Sequence, residues 1–371
     1  MMNAEHRCRI CLGGTEEVLT LTPTPIANSY PETPDIYAPR FPLGVLRCKG
    51  CGHCQVSYEI EGSALYSDYR YETPSTERLR LGIVADNLRQ SYGLCNVLEI
   101  GSNNGIFLEE LRRIGFNAQG IDPAHPQRGL PKYFDSKTAK VLEQTFGRFD
   151  LVLANNVFAH VDDLRNMVLG VTRVLTPTGR FIFEVQYAPD MVAGGMFDMI
   201  YHEHKDYHTL APLPFLFKKF GMCVEKFDRL NTHGGSIRVY AKFGDKGIKL
   251  TDPAIDWEAF SLRIQAEKAR ILTEISRYGK VAAFGATAKA CTLIHHFGLQ
   301  DKIAYCVDET PAKQGRYIAG TRIQIMPWEH LKSDPPDAIL LTAWNYAAIL
   351  KPRFSVPVIV PFERVEHRVA A

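Results

Sequence analysis

Residues 95–122 read CNVLEIGSNNGIFLEELRRIGFNAQGID, and their pattern decides the fold. CNVLEIG is a short apolar run with the length of a buried strand. NGIFLEELRRIG spaces its apolar residues at helical intervals, so one face can pack inward. NAQGID is a second short strand that closes on an acid, Asp122. The loop from Glu99 through Gly101 and Asn103 to Gly105 therefore joins a strand to a helix N-terminus, where backbone amides face a ligand. A carboxylate at the end of the next strand can accept hydrogen bonds from ribose hydroxyls. The loop is not the G-x-G-x-x-G of dinucleotide folds, because Asn103 and Asn104 stand within it.

The same alternation continues outward. DLVLANNVFAH (150–160) and FIFEVQ (181–186) read as further strands, with a helical segment between them. MCVEKFDRL and SIRVYAKFG, joined by NTHGG, suit an antiparallel hairpin at the sheet edge. Strands alternating with helices imply a parallel sheet covered on both faces. S-adenosylmethionine carries a ribose and an amino acid but no phosphate, so it needs fewer glycines than a pyrophosphate does. The pattern predicts an α/β fold with a class I (Rossmann-like) methyltransferase domain over 93–250, a nicotinamide-binding domain being the weaker alternative. Glu99, Gly101, Asn103, Gly105 and Asp122 are the expected cofactor contacts. Asn155 and Asn156 end the strand opposite, at the carboxyl edge where open α/β sheets bind ligands, and join that set. His160 should overhang the same crevice.

Beyond residue 251 the helical run AIDWEAFSLRIQAEKARILTEISRYG leads into KVAAFGATAKACTLIHHFGL, a second strand–turn–helix unit. IAYCVDET and DAILLTAWNY read as later strands, giving a second Rossmann-like α/β domain over 251–371. Residues 61–92 form a helical connector; after Pro74, Leu79, Ile83 and Leu88 are expected on its packed face and Ser75 or Thr76 at its cap. The first 60 residues are proline-rich and short of helical periodicity, too little for a core of their own. Of the chain's 371 residues, 46% are hydrophobic and 23% charged, which argues against long disorder. A formal net charge of +2 gives no electrostatic case for nucleic acid or membrane as a partner. No apolar run suits a membrane span and the start shows no secretory h-region, so a cytoplasmic, reducing location is expected.

Nine cysteines are many for such a compartment, and Cys8, Cys11, Cys48, Cys51 and Cys54 crowd the N-terminal segment. Cys8-x-x-Cys11 and Cys48-x-x-Cys51 are paired knuckles whose thiolates can converge on one tetrahedral zinc. Cys51-x-x-Cys54 is an alternative second pair, though Cys48 and Cys51 sit in the better RCxxCG context. Four thiolates close the coordination sphere, so the ion should be structural.

The stretch GGMFDMIYHEHKDYH (194–208) follows a strand end, a natural place for catalytic groups. Its spacing is not the HExxH of zinc hydrolases. A histidine near neutral pKa with Tyr and Glu beside it suits proton abstraction next to a carbonyl.

Taken in order, the paired knuckles, Tyr69-Arg-Tyr71, EIGSNNG, ANNVFAHVDD, YHEHKDYHTL, THGGSIRVY, GATAKACTL, Asp308 with Lys313-Gln314-Gly315, and LLTAWNY resemble the sugar C-methyltransferases of deoxysugar biosynthesis. That family acts on nucleotide-linked 4-keto-6-deoxy sugars, usually at carbon 3. The resemblance implies a small N-terminal zinc-binding domain (1–60), the methyltransferase domain, and a C-terminal domain that shares the dTDP- or GDP-linked sugar with it. It implies His204 as base, with Tyr201 and Glu203 assisting and His160 nearby. Tyr69 or Tyr71, with His233 and Ser236 of THGGS, would contact substrate or cofactor, and Gly285, Ala286 and Lys289 would approach the diphosphate. A monomer or weak homo-oligomer is expected. An O- or N-methyltransferase on another small molecule is the alternative reading.

Overall fold

The computed structural model describes residues 7–65, 73, 75–124 and 129–362; Tyr69 and Tyr71 lie outside the described residues. Strands β1 (Thr15–Thr24), β2 (Phe41–Cys48) and β3 (Cys54–Val56) pair antiparallel as an N-terminal ribbon. A parallel sheet follows, built from β4 (Asn96–Ile100), β5 (Asn117–Ile121), β6 (Phe149–Asn155) and β7 (Leu175–Gln186). The next strand, β8 (Asp206–Tyr207), leaves that sheet and adds to β3 of the ribbon. The hairpin β9 (Met222–Leu230) and β10 (Ser236–Phe243) then returns, β10 pairing antiparallel with β7. The resulting order is β5-β4-β6-β7-β10-β9. The chain runs from β4 to one side and later resumes on the other, so the carboxyl ends of β4 and β6 flank a topological switch point. Beside β5, among the described residues, the sheet gains a single parallel bridge, Ile121 to Leu130.

The helix Ile106–Arg113 buries Ile106, Phe107, Leu108 and Leu111 against the sheet. The connector helix Arg78–Tyr92 packs beside it through Leu81, Val84, Ala85 and Leu88. A fully buried leucine of this kind contributes roughly 2 kcal/mol. Leu88 is buried as expected, but Leu79 and Ile83 are 78% and 54% exposed. The inward stripe is set by Leu81, Ala85 and Leu88, one helical turn apart, and it leaves the other two on the far face. The cap position falls on Glu77 and not on Ser75 or Thr76, after a 3-10 turn, Ser75–Glu77, and it makes no side-chain cap hydrogen bond.

The C-terminal domain follows the long helix Trp257–Ile275. Its sheet is wholly parallel, with β11 (Val281–Phe284), β12 (Cys306–Val307), β13 (Ile325–Met326), β14 (Ala338–Leu341) and β15 (Val358–Ile359) in the order β13-β12-β11-β14-β15. A second switch point therefore lies between β11 and β14. The ribbon has no separate core. Leu19, Leu21 and Val45 pack with Phe197 and Ile200 of the histidine loop and Phe297 of the C-terminal domain. Its cysteine end packs with the methyltransferase core. Among the described residues no helix is long and apolar enough to cross a membrane.

Candidate functional site

The two knuckles converge. One ligand atom from each of Cys8, Cys11, Cys48 and Cys51 lies within 4.8 Å of the others, with Cys8–Cys51 at 3.6 Å and Cys11–Cys48 at 3.4 Å. Thiolates about 2.3 Å from one zinc stand roughly 3.8 Å apart, so the quartet fits the ion with little movement. Backbone amides of Ile10 and Cys11 donate to Cys8 Sγ, and those of Gly50 and Cys51 donate to Cys48 Sγ, at 3.3–3.4 Å. Donors aimed at sulfur stabilise thiolate. Cys54 points instead to the carbonyl of Gly52 and into the ribbon core. Among the described residues no other group of histidine, cysteine and carboxylate side chains gathers closely enough to hold an ion, the histidine loop included.

Asp206, on β8, latches the ribbon to that loop. Its Oδ1 accepts from Arg9 Nε at 2.9 Å and pairs with His53 Nε2 at 2.7 Å. Burial would raise this carboxyl, but Arg9 and His53 hold it down at about 2. The buried Lys205 donates to the carbonyl of Ile60 at 2.7 Å and pairs with Asp162.

A cleft of about 460 Å³ opens at the first switch point. It is lined by Glu99, Gly101, Asn103, Asp122, Asn155 and Asn156, among others, and reaches His160 and His233. Gly101 has φ +70°, and a Cβ there would lie 2.2 Å from Val157 Cγ2, so only glycine lets the loop close. Gly105, also left-handed, starts the helix. Asp122 Oδ2 accepts from Asn103 N at 2.9 Å and Oδ1 from Ala124 N at 2.8 Å. Burial, with Asp122 adding, raises the Glu99 carboxyl to about 8, and its Oε2 has no hydrogen-bond partner. Asn103, Asn156 and His233 all hold left-handed φ (45–55°) although none is glycine. Such strain costs of order 1 kcal/mol or more per residue and concentrates at functional sites. Asn156 and His233 meet at 3.4 Å.

The three loop histidines separate by environment. His202 Nε2 donates to the carbonyl of Pro42 at 3.0 Å and anchors the ribbon. His208 stacks on Phe158 with centroids 5.3 Å apart. His204 lies behind His160, which lines the cleft, with ring centroids 4.8 Å apart. Its Nδ1 can only donate to the carbonyl of Met199 (2.8 Å), which leaves Nε2 bare to accept from Tyr201 Oη at 2.7 Å. Burial, then His160, pushes the His204 pKa well below its ordinary value, so the ring is neutral at neutral pH. Burial likewise lowers His160 to about 4. Glu203 turns away from this pair: its Oε1 accepts from the backbone and side-chain amides of Asn28 at 3.1 and 3.0 Å. Ser236 is fully buried and donates to the carbonyl of Thr232 at 3.0 Å, so it braces the THGG turn and does not line the cleft.

Sequence reasoning missed the brace beneath that turn. Buried Glu184 pairs with Arg80 (3.3 Å) and Arg238 (2.8 Å) and accepts from Thr232 Oγ1 at 2.9 Å. Burial would raise Glu184, but the two guanidiniums hold it low. No local pattern marks such a triad, because its members come from the connector, β7 and β10.

At the second switch point Gly285 has φ +100°, and a Cβ there would lie 2.7 Å from Ala343 Cβ. Ala286 N donates to Asp308 Oδ2 at 2.8 Å, while its carbonyl accepts from Tyr30 Oη and Lys313 Nζ, both at 2.8 Å. Lys289 donates to Asn345 Oδ1 at 2.6 Å. The histidine loop touches both domains: the carbonyl of Ile200 accepts from Thr292 Oγ1 at 2.9 Å, and His204 lies against His160.

Three family models cover the chain in sequence: "Putative zinc binding domain" over residues 8–66, "Methyltransferase domain" over 66–226 and "C-methyltransferase C-terminal domain" over 245–354. The C-methyltransferase NovU of Streptomyces niveus is 30% identical across 92% of this chain and 90% of its own length. The chain belongs to this C-methyltransferase family. Ubiquinone biosynthesis O-methyltransferases match only a part of it; that of Cronobacter sakazakii is 26% identical over 28% of this chain and 47% of its own. Among solved structures, the 1,6-didemethyltoxoflavin-N1-methyltransferase of Burkholderia thailandensis covers 53% of this chain at 15% identity and a TM-score of 0.36. As a C-methyltransferase the chain uses S-adenosylmethionine, and its residues fit that group. The buried Glu99 Oε2 has no hydrogen-bond partner and is open to a polar group of the cofactor, and Gly101, Asn103 and Asp122 line the cleft beside it. Zinc is its second, structural cofactor, held by the cysteine quartet.

Proposed function

We propose that this C-methyltransferase adds its methyl group to carbon 3 of a nucleotide-linked 4-keto-6-deoxy sugar, dTDP- or GDP-linked, through a base-generated enolate. The observation that carries the reading is the His204–Tyr201 pair, a neutral imidazole with a bare Nε2 held between two nucleotide-binding folds. S-adenosylmethionine supplies an electrophilic methyl on a sulfonium. A hydrogen next to a ketone is acidic enough for a positioned imidazole to remove. Tyr201, hydrogen-bonded to Nε2 at rest, hands its O–H to the developing negative charge as His204 Nε2 takes that proton. His160 walls the crevice beside them. Glu203, through Asn28, holds the loop against the ribbon. Glu99, Gly101, Asn103, Gly105, Asp122, Asn155 and Asn156 bind the cofactor, and His233 faces the substrate from the strained turn. Gly285 and Ala286 form the wall on the nucleotide side, Lys289 reaches the substrate from the helix that follows them, and Tyr69 and Tyr71 belong to the same substrate set. We divide the chain at 1–60, 61–92, 93–250 and 251–371, and assign it to the cytoplasm as a monomer or weak homo-oligomer.

The test is incubation with a dTDP-linked 4-keto-6-deoxyhexose in deuterated water without S-adenosylmethionine. Deuterium should enter at carbon 3, and His204→Ala should slow both exchange and methylation by at least about 100-fold. Full activity of His204→Ala would end the assignment of the base. Methylation of oxygen or nitrogen, with no exchange, would end the reading of the reaction.

A further inference from the structure

Lys289 is the second residue of the helix Ala288–Phe297, 9% exposed as a whole. An ammonium has three donors. One is used, by Asn345 Oδ1 at 2.6 Å, and the group also stands 4.2 Å from the centre of the Trp344 ring. No carboxylate of the described residues forms an ion pair with it. Asp198 is the acid whose charge acts on it; its Oδ2 accepts from the Trp344 indole N–H at 2.7 Å and its Oδ1 has no hydrogen-bond partner, yet the two groups form no ion pair. A buried cation without a paired anion is costly, and a ligand's negative charge would relieve it.

The surroundings locate that negative charge. Ala288, the preceding residue, packs with Tyr201, whose hydroxyl touches His204 Nε2. On its other side, Trp344 meets the THGG turn: a Cβ on Gly234 would lie 3.1 Å from Trp344 Cη2. Lys289 therefore stands between the proton-abstracting pair and His233. Burial lowers the pKa of both His204 and His233, and the Lys289 charge adds to it in each case. In a pyranose ring carbon 4 adjoins carbon 3, while the diphosphate hangs from carbon 1 across the ring. A cation beside the base therefore reaches the carbon 4 oxygen before it reaches phosphate.

We propose that Lys289 is a catalytic residue lent by the C-terminal domain, whose ammonium pairs with the carbon 4 oxygen as the enolate forms. The inference rests on the proposed reading of the reaction. The carbon 3–hydrogen bond breaks, its proton goes to His204 Nε2, and its electron pair moves into the carbon 3–carbon 4 bond. The carbonyl electrons move onto oxygen, where the new charge meets Lys289. A donor preorganised for charge that develops only in the transition state contributes to turnover and little to binding.

The experiment compares carbon 3 deuterium exchange and substrate Kd for wild-type, Lys289→Met and Lys289→Arg, using a dTDP-linked 4-keto-6-deoxyhexose at saturation. Lys289→Met should slow saturated exchange by about 100-fold while Kd changes less than about tenfold, and Lys289→Arg should restore part of the rate. Lys289→Gln gives the same comparison if Lys289→Met does not fold. A Kd raised about 100-fold with unchanged saturated exchange would make Lys289 a phosphate anchor and overturn the proposal. So would unchanged exchange with unchanged Kd. Absence of exchange in the wild-type protein would instead remove the enolate reading itself.

Discussion

The two α/β domains carry the same hydrogen-bonded frame at their switch points. In the first, Asp122 clamps Asn103 N and Ala124 N, and Gly101 N donates to the carbonyl of Ile121 at 2.8 Å. In the second, Asp308 clamps Ala286 N and Thr310 N, and Gly285 N donates to the carbonyl of Val307 at 2.8 Å. Each glycine lies too close to a neighbouring chain for any side chain. Only the first frame opens into the 460 Å³ cleft. In the second, the helix begins almost at once, and Tyr30 and Lys313 occupy the Ala286 carbonyl. An acid at a strand end after a glycine turn is thus a device for closing a loop. Whether it also holds a cofactor depends on the length of that loop and on what crosses it.

Acid should break the seam that joins the two frames, with the largest effect. His160 and His208 are lowered by burial to about 4, against about 6.5 in the unfolded chain. The unfolded state therefore binds more protons below pH 6.5, and stability falls as pH falls toward 4. Between pH 6.5 and 5 the loss is about 2 kcal/mol for each histidine, read as a falling Tm. A Tm unchanged from pH 7 to 5 would contradict it.

Next, Gly101→Ala should raise the Kd for S-adenosylhomocysteine at least about 100-fold by calorimetry, roughly 2.7 kcal/mol. Gly285→Ala should leave that Kd within about threefold while weakening the keto-sugar nucleotide. Equal effects on the cofactor would mean that the frames do not divide the ligands. Asp122→Asn should weaken S-adenosylhomocysteine by about tenfold, and Asp308→Asn should not. Smallest is Tyr30→Phe, which removes one buried hydrogen bond to Ala286 and should cost about 1 kcal/mol in urea unfolding. Cofactor affinity should not move.

Much of this was legible in the chain. Residues 95–122 declare strand, loop, helix and acid because period and length suffice for short buried elements. Spacing marked the cysteine quartet but left Cys54 as an alternative, and only the RCxxCG context favoured Cys48 with Cys51, the pair that converges with Cys8 and Cys11. The histidine loop was legible as a place but not as a division of labour. His202, His204 and His208 differ only in the wall each faces: the Pro42 carbonyl, Tyr201 with Met199, and Phe158. The walls of His202 and His208 come from distant segments, and that of His204 from the fold of its own loop. Leu79 and Ile83 failed for a related reason, since a helix offers several apolar stripes and only tertiary packing selects one. Ser236 and Glu203 stand in motifs that read as functional, yet their hydrogen bonds brace the turn and the ribbon.

The pairing of β8 with β3 also sets a schedule for assembly. The N-terminal ribbon lacks its fourth strand until Asp206 and Tyr207 have been synthesised. Its β1 then waits for the C-terminal helix, where Thr22 N donates to His296 Nδ1 at 3.1 Å. Contacts this far apart in sequence form slowly, and an unpaired strand edge invites wrong partners while it waits. The ribbon is synthesised before both of the partners it needs and is thus among the last elements to find its place, and the ion that ties its ends together can act as its holding clamp through the interval.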